Sequence, residues 1–371
     1  MNLLFVIKSL AVRGGGAERV LADLTAELAA RGHVVTIATF DAAGVAPFYA
    51  FAPGVKLLRL GIGDASRKTR SLDLLRRIRG LSELLLQLRP DAAIGFMHSA
   101  YVPLAVAARG TGVPAVGSEH TVYSHYRGKF FDRLSLRLAA RHLAAITATS
   151  RSMAEGFPAA FRRRVRVIAN PVASGGARSS DVEGGAAKTL LAVGRLEDEK
   201  DHATLVSAFA HVADRFSDWR LRIVGEGSLR ETLQRQVEQS GLAERIELAG
   251  STPGITKEYA SADVFVMPSK YESFGLACAE ALAAGLPAIG FADCAGTNEL
   301  IKPGRNGLLV EGVDRVAALA NGLSELMASA ALRRRLGAAG PASVAAFRLP
   351  AIASSWEELL REHIGKSQCA A

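Results

Sequence analysis

Short apolar runs alternate with amphipathic segments along most of the chain. Residues 3–10 read as a strand, followed by a glycine-rich turn and a helix over 17–31 that Gly32 ends. Residues 33–40 form the next strand. Runs at 92–97, 115–118, 145–148 and 165–169 continue the series, with helices at 71–88, 101–109 and 129–142 between them. The runs are apolar throughout rather than alternating with polar positions, a pattern of parallel strands covered on both faces. Residues 173–187, rich in Gly, Ser and Ala and without a period, read as a linker. Alternation then restarts, with strands at 189–193, 221–224, 246–248, 264–267, 288–290 and 307–310 and helices at 202–216, 228–239, 274–284, 313–329 and 331–347. Pro350 opens a last helix to about residue 363. The expected fold class is α/β: two doubly wound domains in tandem, with ligands at the carboxyl ends of the strands and a central cleft where those ends face each other.

Length and composition change that picture little. A chain of 371 residues with 49 % apolar content is long enough for two cores. It contains no run of about 18 apolar residues, so no membrane span is expected. The opening Met1-Asn-Leu-Leu-Phe-Val-Ile-Lys8 lacks a leading positive region and a small-residue cleavage site, and reads as a first strand rather than a signal peptide. Cys278, Cys294 and Cys369 form no close pair, which suits a reducing cytoplasm and supplies no metal or redox motif. Charge adds more. Residues 1–170 hold 24 Lys/Arg against 11 Asp/Glu, a balance of +13, whereas 171–371 hold 21 against 25, or −4. A basic first half points to an anionic partner. Aromatic content is 6 % and no nucleic-acid motif occurs, so nucleic acid is not expected. An anionic membrane surface or a lipid-linked phosphate fits better; a solvated Arg-rich surface explains the same charge.

The candidate chemistry lies at strand ends. In Glu272-Ser-Phe-Gly-Leu-Ala-Cys-Ala-Glu280 two carboxylates stand eight positions apart. Glu272 is expected on a loop at a helix N-terminus, and Glu280 inside the helix on a different face from Leu276, Ala279 and Leu282. Unpaired N–H groups and the partial positive charge of that N-terminus favour a phosphate. A phosphate flanked by two carboxylates suits a ligand with hydroxyls on both sides of a diphosphate, the shape of a nucleotide sugar. Arg195 and Lys200 follow another strand in Gly194-Arg-Leu-Glu-Asp-Glu-Lys200, where they can converge on a diphosphate or pair with Glu197, Asp198 and Glu199. Gly225-Glu226-Gly227 borders a nucleobase or ribose, or is an ordinary turn. Arg13-Gly-Gly-Gly-Ala-Glu18 lets backbone approach a phosphate, or is a tight turn without a ligand; it has neither the dinucleotide spacing nor the P-loop lysine. His120 closes a strand in Gly117-Ser-Glu-His120 and can orient a sugar hydroxyl or shuttle a proton, with His98 a second candidate on a neighbouring strand; a lone histidine is also commonly structural.

In this order and spacing the motifs resemble the retaining glycosyltransferases of family four, which have the two-domain GT-B fold of Rossmann-like halves. The resemblance spans nearly the whole chain: Gly-Gly-Ala-Glu at 15–18, Gly-Arg-Leu and Lys at 194–200, Gly-Glu-Gly at 225–227, the paired glutamates at 272 and 280, Gly296-Thr-Asn-Glu-Leu-Ile301 and Asn306-Gly-Leu-Leu-Val310. It is nearest to bacterial enzymes that extend lipid-linked oligosaccharides, exopolysaccharides or lipopolysaccharide. It implies an acceptor-binding domain over 1–170, a linker over 171–187, a nucleotide-sugar domain over 188–349 and a helix over 350–371 that crosses back to the first domain. Backbone groups of Gly15 and Gly16 would approach the donor's distal phosphate, with Gly225 and Glu226 also bordering the donor. Arg195 and Lys200 would neutralise the leaving diphosphate. Glu280 would bind the ribose, Glu272 the transferred sugar, and the N–H groups of Phe274, Gly275 and Leu276 would cap phosphate and sugar. His120 would contact the sugar and help align the acceptor. Ser273 stands where many relatives have Gly, and its hydroxyl is placed to cap the following helix.

The implied reaction moves a hexose or N-acetylhexosamine, with retention, from a nucleotide sugar (UDP first, GDP next) to a lipid-linked or polysaccharide acceptor. No Asp-x-Asp motif occurs, so no metal and no cofactor are expected. The basic runs Arg67-Lys-Thr-Arg70, Arg76-Arg-Ile-Arg79 and 123–141 suit docking on the anionic inner face of the cytoplasmic membrane. A nucleotide-sugar epimerase of the same fold would need a carboxylate and histidine group that is not found. A glycogen-type phosphorylase would need a longer chain and a cofactor lysine. A non-catalytic partner subunit would not be expected to retain Arg195, Lys200, Glu272 and Glu280.

Overall fold

The computed structural model describes residues 1–12, 15–63, 71–126, 128–173, 187–252 and 254–368. Arg13 and Gly14 of the glycine turn, the basic run at 67–70, most of the linker and Cys369 lie outside the described residues. The chain divides into two compact units, Met1–Pro171 with Leu349–Ala371, and Val172–Arg348.

The first unit runs β1 (Asn2–Ile7), α1 (Gly16–Ala30), β2 (Val34–Thr39), β3 (Val55–Arg59), α2 (Ser71–Leu88), β4 (Ala92–Phe96), α3 (His98–Ala107), β5 (Ala115–Ser118), α4 (Phe130–Ala140), β6 (Ala145–Ala148), α5 (Arg151–Glu155), α6 (Ala159–Arg162) and β7 (Val165–Val167). Its seven strands lie in the order β3-β2-β1-β4-β5-β6-β7, with parallel pairing between neighbours. The strand order reverses direction between β1 and β4, and the carboxyl ends at such a reversal are where doubly wound sheets hold ligands. β4 and β5 are buried along their whole length, which is why they read as unbroken apolar runs.

The second unit runs β8 (Lys188–Val193), α7 (His202–Val212), β9 (Trp219–Val224), α8 (Arg230–Gln239), β10 (Ile246–Gly250), α9 (Ile255–Ser261), β11 (Val264–Met267), α10 (Leu276–Ala283), β12 (Ala288–Phe291), α11 (Thr297–Leu300), β13 (Gly307–Val310), α12 (Arg315–Ala328) and α13 (Ala330–Ser343). Its order is β10-β9-β8-β11-β12-β13, again parallel throughout, with the reversal between β8 and β11. Trp219, Phe209 and Leu205 fill the core on one side of this sheet.

The last helix, α14 (Leu349–Gln368), belongs to the first unit. Arg31 at the end of α1 donates to Pro350 O at 2.7 Å and Ser354 Oγ at 3.0 Å, and His33 Nε2 meets Glu357 Oε1 at 2.7 Å. Trp356 of α14 stacks on Phe96 at 6.3 Å between centroids.

Both doubly wound sheets expected from the sequence are present. Several details differ. β3 and the short helices α5, α6, α9 and α11 were not expected. α3 starts three residues earlier than its pattern suggests, placing His98 at its first position and Pro103 inside it. α10 is not amphipathic as expected: Glu280 is buried together with Ala279 and Leu282, because the helix is packed nearly all round.

Candidate active site

In the second unit the loops after β8 and β11 meet at the strand-order reversal. The β8 loop makes a short turn over Asp198–Lys200, and Asp201 then takes a left-handed conformation (φ 51°) at the entry to α7. This swings Lys200 toward β11. Its Nζ donates to Glu272 Oε1 at 2.6 Å, and Ser269 Oγ donates to the same oxygen at 2.7 Å. Glu272 and Ser269 are buried, so the carboxylate is held by one cation and one hydroxyl in a partly dry setting. The structure therefore brings together two residues 72 positions apart. Arg195 instead pairs with Glu199 at 2.7 Å, with its own side chain 59 % exposed. Glu197 accepts from Ser228 N and Oγ, and Asp198 pairs with Lys270. Of the pairings open in the sequence, Arg195 makes one and Lys200 makes none. An exposed pair such as Arg195–Glu199 is worth about 0–1 kcal/mol, so an anion can recruit the guanidinium at little cost.

The remaining donor candidates fall into place differently. Gly225 and Gly227 are needed because the loops after β8 and β9 touch: a Cβ at Gly225 would sit 1.9 Å from Gly194 O, and one at Gly227 2.4 Å from Leu196 O. Glu226 is half exposed and pairs with Arg230 at 3.0 Å. The Phe274 side chain is buried edge-on to Phe347, which leaves only its backbone for a ligand. Gly275 is the N-cap of α10 with φ 86°, a conformation that favours glycine, and Leu276 is the first residue of the helix. The cap position is thus Gly275 and not Ser273, which lies two residues too early; Ser273 has no positive φ, so a side chain there is unstrained. Tyr259 donates its hydroxyl to Glu280 Oε2 at 3.0 Å.

Sequence reasoning missed several supports. Arg315, at the start of α12, donates to Pro268 O and Ser269 O at 3.1 and 3.3 Å, pairs with Asp201 and Asp293, and lies 3.5 Å over the Phe291 ring. It fixes the segment that presents Ser269 to Glu272. His202 is buried beside Lys200; burial first, then the neighbouring ammonium, lowers its pKa to about 4, so it is neutral near pH 7. Burial pushes the Cys278 thiol well up and that of Cys294 to about 11, which leaves both as inert thiols.

In the first unit Gly15 is the N-cap of α1 with an ordinary φ of −71°, and a Cβ there would meet Glu18 Oε2 at 1.9 Å. Gly16 is the exposed first residue of that helix. His120 lies at the carboxyl end of β5, stacked on Phe96 at 5.0 Å, with Nε2 3.0 Å from Ser118 Oγ. Burial lowers its pKa to about 4, so it too is neutral near pH 7. Glu119, which the sequence did not single out, is wholly buried and accepts from Tyr101, Tyr126 and the backbone N–H groups of His120 and Thr121.

Two family models match the chain: Glycosyltransferase Family 4 over residues 14–174 and Glycosyl transferases group 1 over 178–343. An exopolysaccharide phosphotransferase of Streptomyces coelicolor is 33 % identical over 247 residues, 66 % of this chain but only 26 % of that protein. An N-acetylgalactosaminyltransferase of Campylobacter jejuni, named for an undecaprenol-diphosphate-linked substrate, is 25 % identical over 98 % of this chain and 99 % of its own length. Among solved structures, sucrose-phosphate synthase of Thermosynechococcus elongatus superposes with a TM-score of 0.83 at 22 % identity, covering 98 % of this chain and 99 % of that one. HepE of Anabaena in complex with UDP gives 0.78 at 21 % identity, covering 98 % and 100 %. The paired sheets, the strand-end loops and the two family matches that follow one another along the chain make it a member of glycosyltransferase family 4, with the GT-B fold.

Proposed function

We propose that the chain transfers a hexose or N-acetylhexosamine from a UDP-linked donor to a lipid-linked oligosaccharide or polysaccharide acceptor, with retention and without a divalent metal. The observation that carries this reading is the Lys200–Glu272 contact at the strand-order reversal of the second unit. A diphosphate competing for Lys200 frees Glu272 to accept hydroxyls of the transferred sugar. Lys200, Arg195 and the N–H groups at the start of α10 then stabilise charge on the departing nucleotide, a role otherwise left to a metal. The acceptor approaches the face from which the nucleotide departs, and a donor phosphate oxygen takes its proton. Glu280, oriented by Tyr259, is assigned the ribose. From the first unit, His120 is assigned a sugar hydroxyl and the backbone of Gly15 and Gly16 a donor phosphate. The names of the Campylobacter relative and of HepE support the lipid-linked acceptor and the UDP donor.

The test is a donor screen. Each common UDP- and GDP-sugar is incubated with the protein and EDTA, and free nucleotide is quantified. One UDP-sugar is expected to release UDP, with release falling in Glu272→Ala and Arg195→Ala. A requirement for added metal, or unchanged release by Glu272→Ala, overturns the corresponding part of the reading.

Membrane docking belongs to the same proposal, at the inner face of the cytoplasmic membrane. Among the described residues no helix is long and apolar enough to cross a bilayer. α4 instead exposes Phe130 (70 %), Phe131 (81 %), Leu134 and Leu138, interleaved with Lys129, Arg133, Arg137 and Arg141. Inserted phenylalanines contribute about 1.5–3 kcal/mol each when fully buried, and each cation near an anionic surface contributes about 1 kcal/mol. The protein is expected to sediment with vesicles containing phosphatidylglycerol, to dissociate as salt rises, and to lose most binding when Phe130 and Phe131 are both changed to serine. Equal binding to neutral vesicles would remove the electrostatic part.

A further inference from the structure

Two histidines stand at the carboxyl ends of adjacent strands of the first unit, His120 after β5 and His98 after β4. β4 flanks the strand-order reversal, the place where a sheet of this kind meets its ligand. Met97, just before His98, holds a positive φ of 65° although it is not glycine, and backbone strain of this sort persists where the surroundings enforce it.

The surroundings are a built hydrogen-bond chain. Gly95 and Gly117 are paired in register on β4 and β5, and a Cβ on either would meet Tyr101, at 2.5 Å for Gly95 and 3.0 Å for Gly117. The two glycines make the slot through which the buried Tyr101 donates to Glu119 Oε2 at 2.7 Å. Tyr126, also buried, donates to the same oxygen at 3.1 Å, and its hydroxyl lies 2.8 Å from His98 Nδ1. The other carboxylate oxygen accepts from His120 N and Thr121 N, both at 2.9 Å.

Proton counting selects the histidine tautomer. Four donors surround Glu119, which fits an acceptor-only carboxylate. Tyr126 has one hydroxyl proton. Given to His98 Nδ1, it would leave two bare oxygens facing each other at 3.1 Å in a buried setting. Given to Glu119, as the geometry of that contact has it, it leaves the Tyr126 oxygen to accept from His98 Nδ1–H, and Glu119 Oε2, the Tyr126 hydroxyl and Nδ1 are all satisfied. His98 is partly exposed, and its Nε2 makes no hydrogen bond among the described residues.

We propose that Glu119 and Tyr126 are positioning residues that hold His98 as the Nδ1–H tautomer, so that its Nε2 lone pair accepts a hydrogen bond from an O–H of the incoming acceptor other than the one that passes its proton to the donor phosphate. The inference rests on the glycosyltransferase reading for the identity of that hydroxyl, and on the first unit alone for the tautomer. His98 holds and orients the acceptor through that second O–H, and the attacking O–H keeps its own proton for the donor phosphate oxygen.

The test has two arms. Imidazole nitrogen spectra of the full chain, with His98 assigned by its loss in His98→Asn, are expected to show the Nδ1–H form in wild type and a shift toward the Nε2–H form in Tyr126→Phe. The second arm uses water as the acceptor, following hydrolysis of the donor found by the screen. Asparagine can keep the donor to Tyr126 but has nothing at the Nε2 position. His98→Asn is therefore expected to melt within about 2 °C of wild type and to lower turnover about tenfold or more with an unchanged donor KM. An Nε2–H signature in wild type, or wild-type turnover in His98→Asn, overturns the proposal. Absence of hydrolysis of every donor by wild type would count against the glycosyltransferase reading, and the spectra would then decide the tautomer alone.

Discussion

Lys200→Met lowers turnover by about two to three orders of magnitude, the loss expected when a preorganised charge facing the leaving group is removed. Methionine is the informative replacement because the lysine stem packs near Gly194, with Cγ and Cδ within 3.5 Å of where a Gly194 Cβ would lie, and an unbranched thioether can keep that packing. What disappears is the ammonium. Among the described residues Glu272 then keeps only the Ser269 hydroxyl on Oε1. Removing one partner of a fully buried ion pair costs about 3–5 kcal/mol. The Lys200 side chain is 19 % exposed, so solvent screening reduces this to about 1–3 kcal/mol. A third readout ties both effects to the same atom. Lys200 lowers the pKa of His202 and Glu272 raises it, so without the ammonium His202 titrates above its present value of about 4. Arg195→Ala, which breaks an exposed pair, is expected to reduce turnover less than Lys200→Met. The reverse order would move the main phosphate contact to Arg195. Kinetics on the screened donor, a thermal melt and a histidine titration together check the expectation.

The elements at the centre of each sheet were legible because burial on both faces leaves no polar position to interrupt the apolar run. β3 was not, for the opposite reason. It is an edge strand reading Val-Lys-Leu-Leu-Arg, and only Val55 is buried, so neither a continuous nor an alternating pattern appears. Each loop of the candidate site carried a motif in the sequence, yet the contact between Lys200 and Glu272 was not legible, since it exists only because β8 and β11 are neighbours in the sheet. Glu280 was read as facing away from the apolar residues, but in a helix packed nearly all round, a charge is not evidence of an exposed face. Its partner Tyr259 lies on a different helix, 21 positions away. The Glu119 device left a signal that can be read: glycines inside two adjacent apolar strands, at Gly95 and Gly117, mark a close approach by a large side chain. Arg315 left none, because an arginine opening a helix is ordinary until the three segments it contacts are assembled.

Gly225→Ala is expected to damage the second unit more than any loss of a surface contact. The new methyl would lie 1.9 Å from the Gly194 carbonyl oxygen and 2.8 Å from its carbon. The obstacle is backbone, so no rotamer change relieves it. Both sides are also tied down: Gly194 N donates to Val224 O at 3.0 Å and Gly225 N to Gly250 O at 2.9 Å. Either β9 must shift or the loop carrying Arg195 must move. Overpacking of this kind costs about 1–3 kcal/mol, and the positive φ of 155° adds strain of about 1–3 kcal/mol. For a unit of this size the sum corresponds to a drop in Tm on the order of 5–15 °C. Gly241→Ala separates the two terms. Gly241 also has a positive φ, 70°, but nothing lies within 4 Å of its would-be Cβ, so it carries strain without obstruction. A melt in which Gly225→Ala falls clearly below Gly241→Ala assigns the excess to the crossing of the two loops. UDP binding by calorimetry then weakens in Gly225→Ala alone, because only there is the Arg195 loop displaced. Equal melts and equal UDP binding in the two variants would mean that the glycines after β9 serve the turn itself and not the close packing of the loops after β8 and β9.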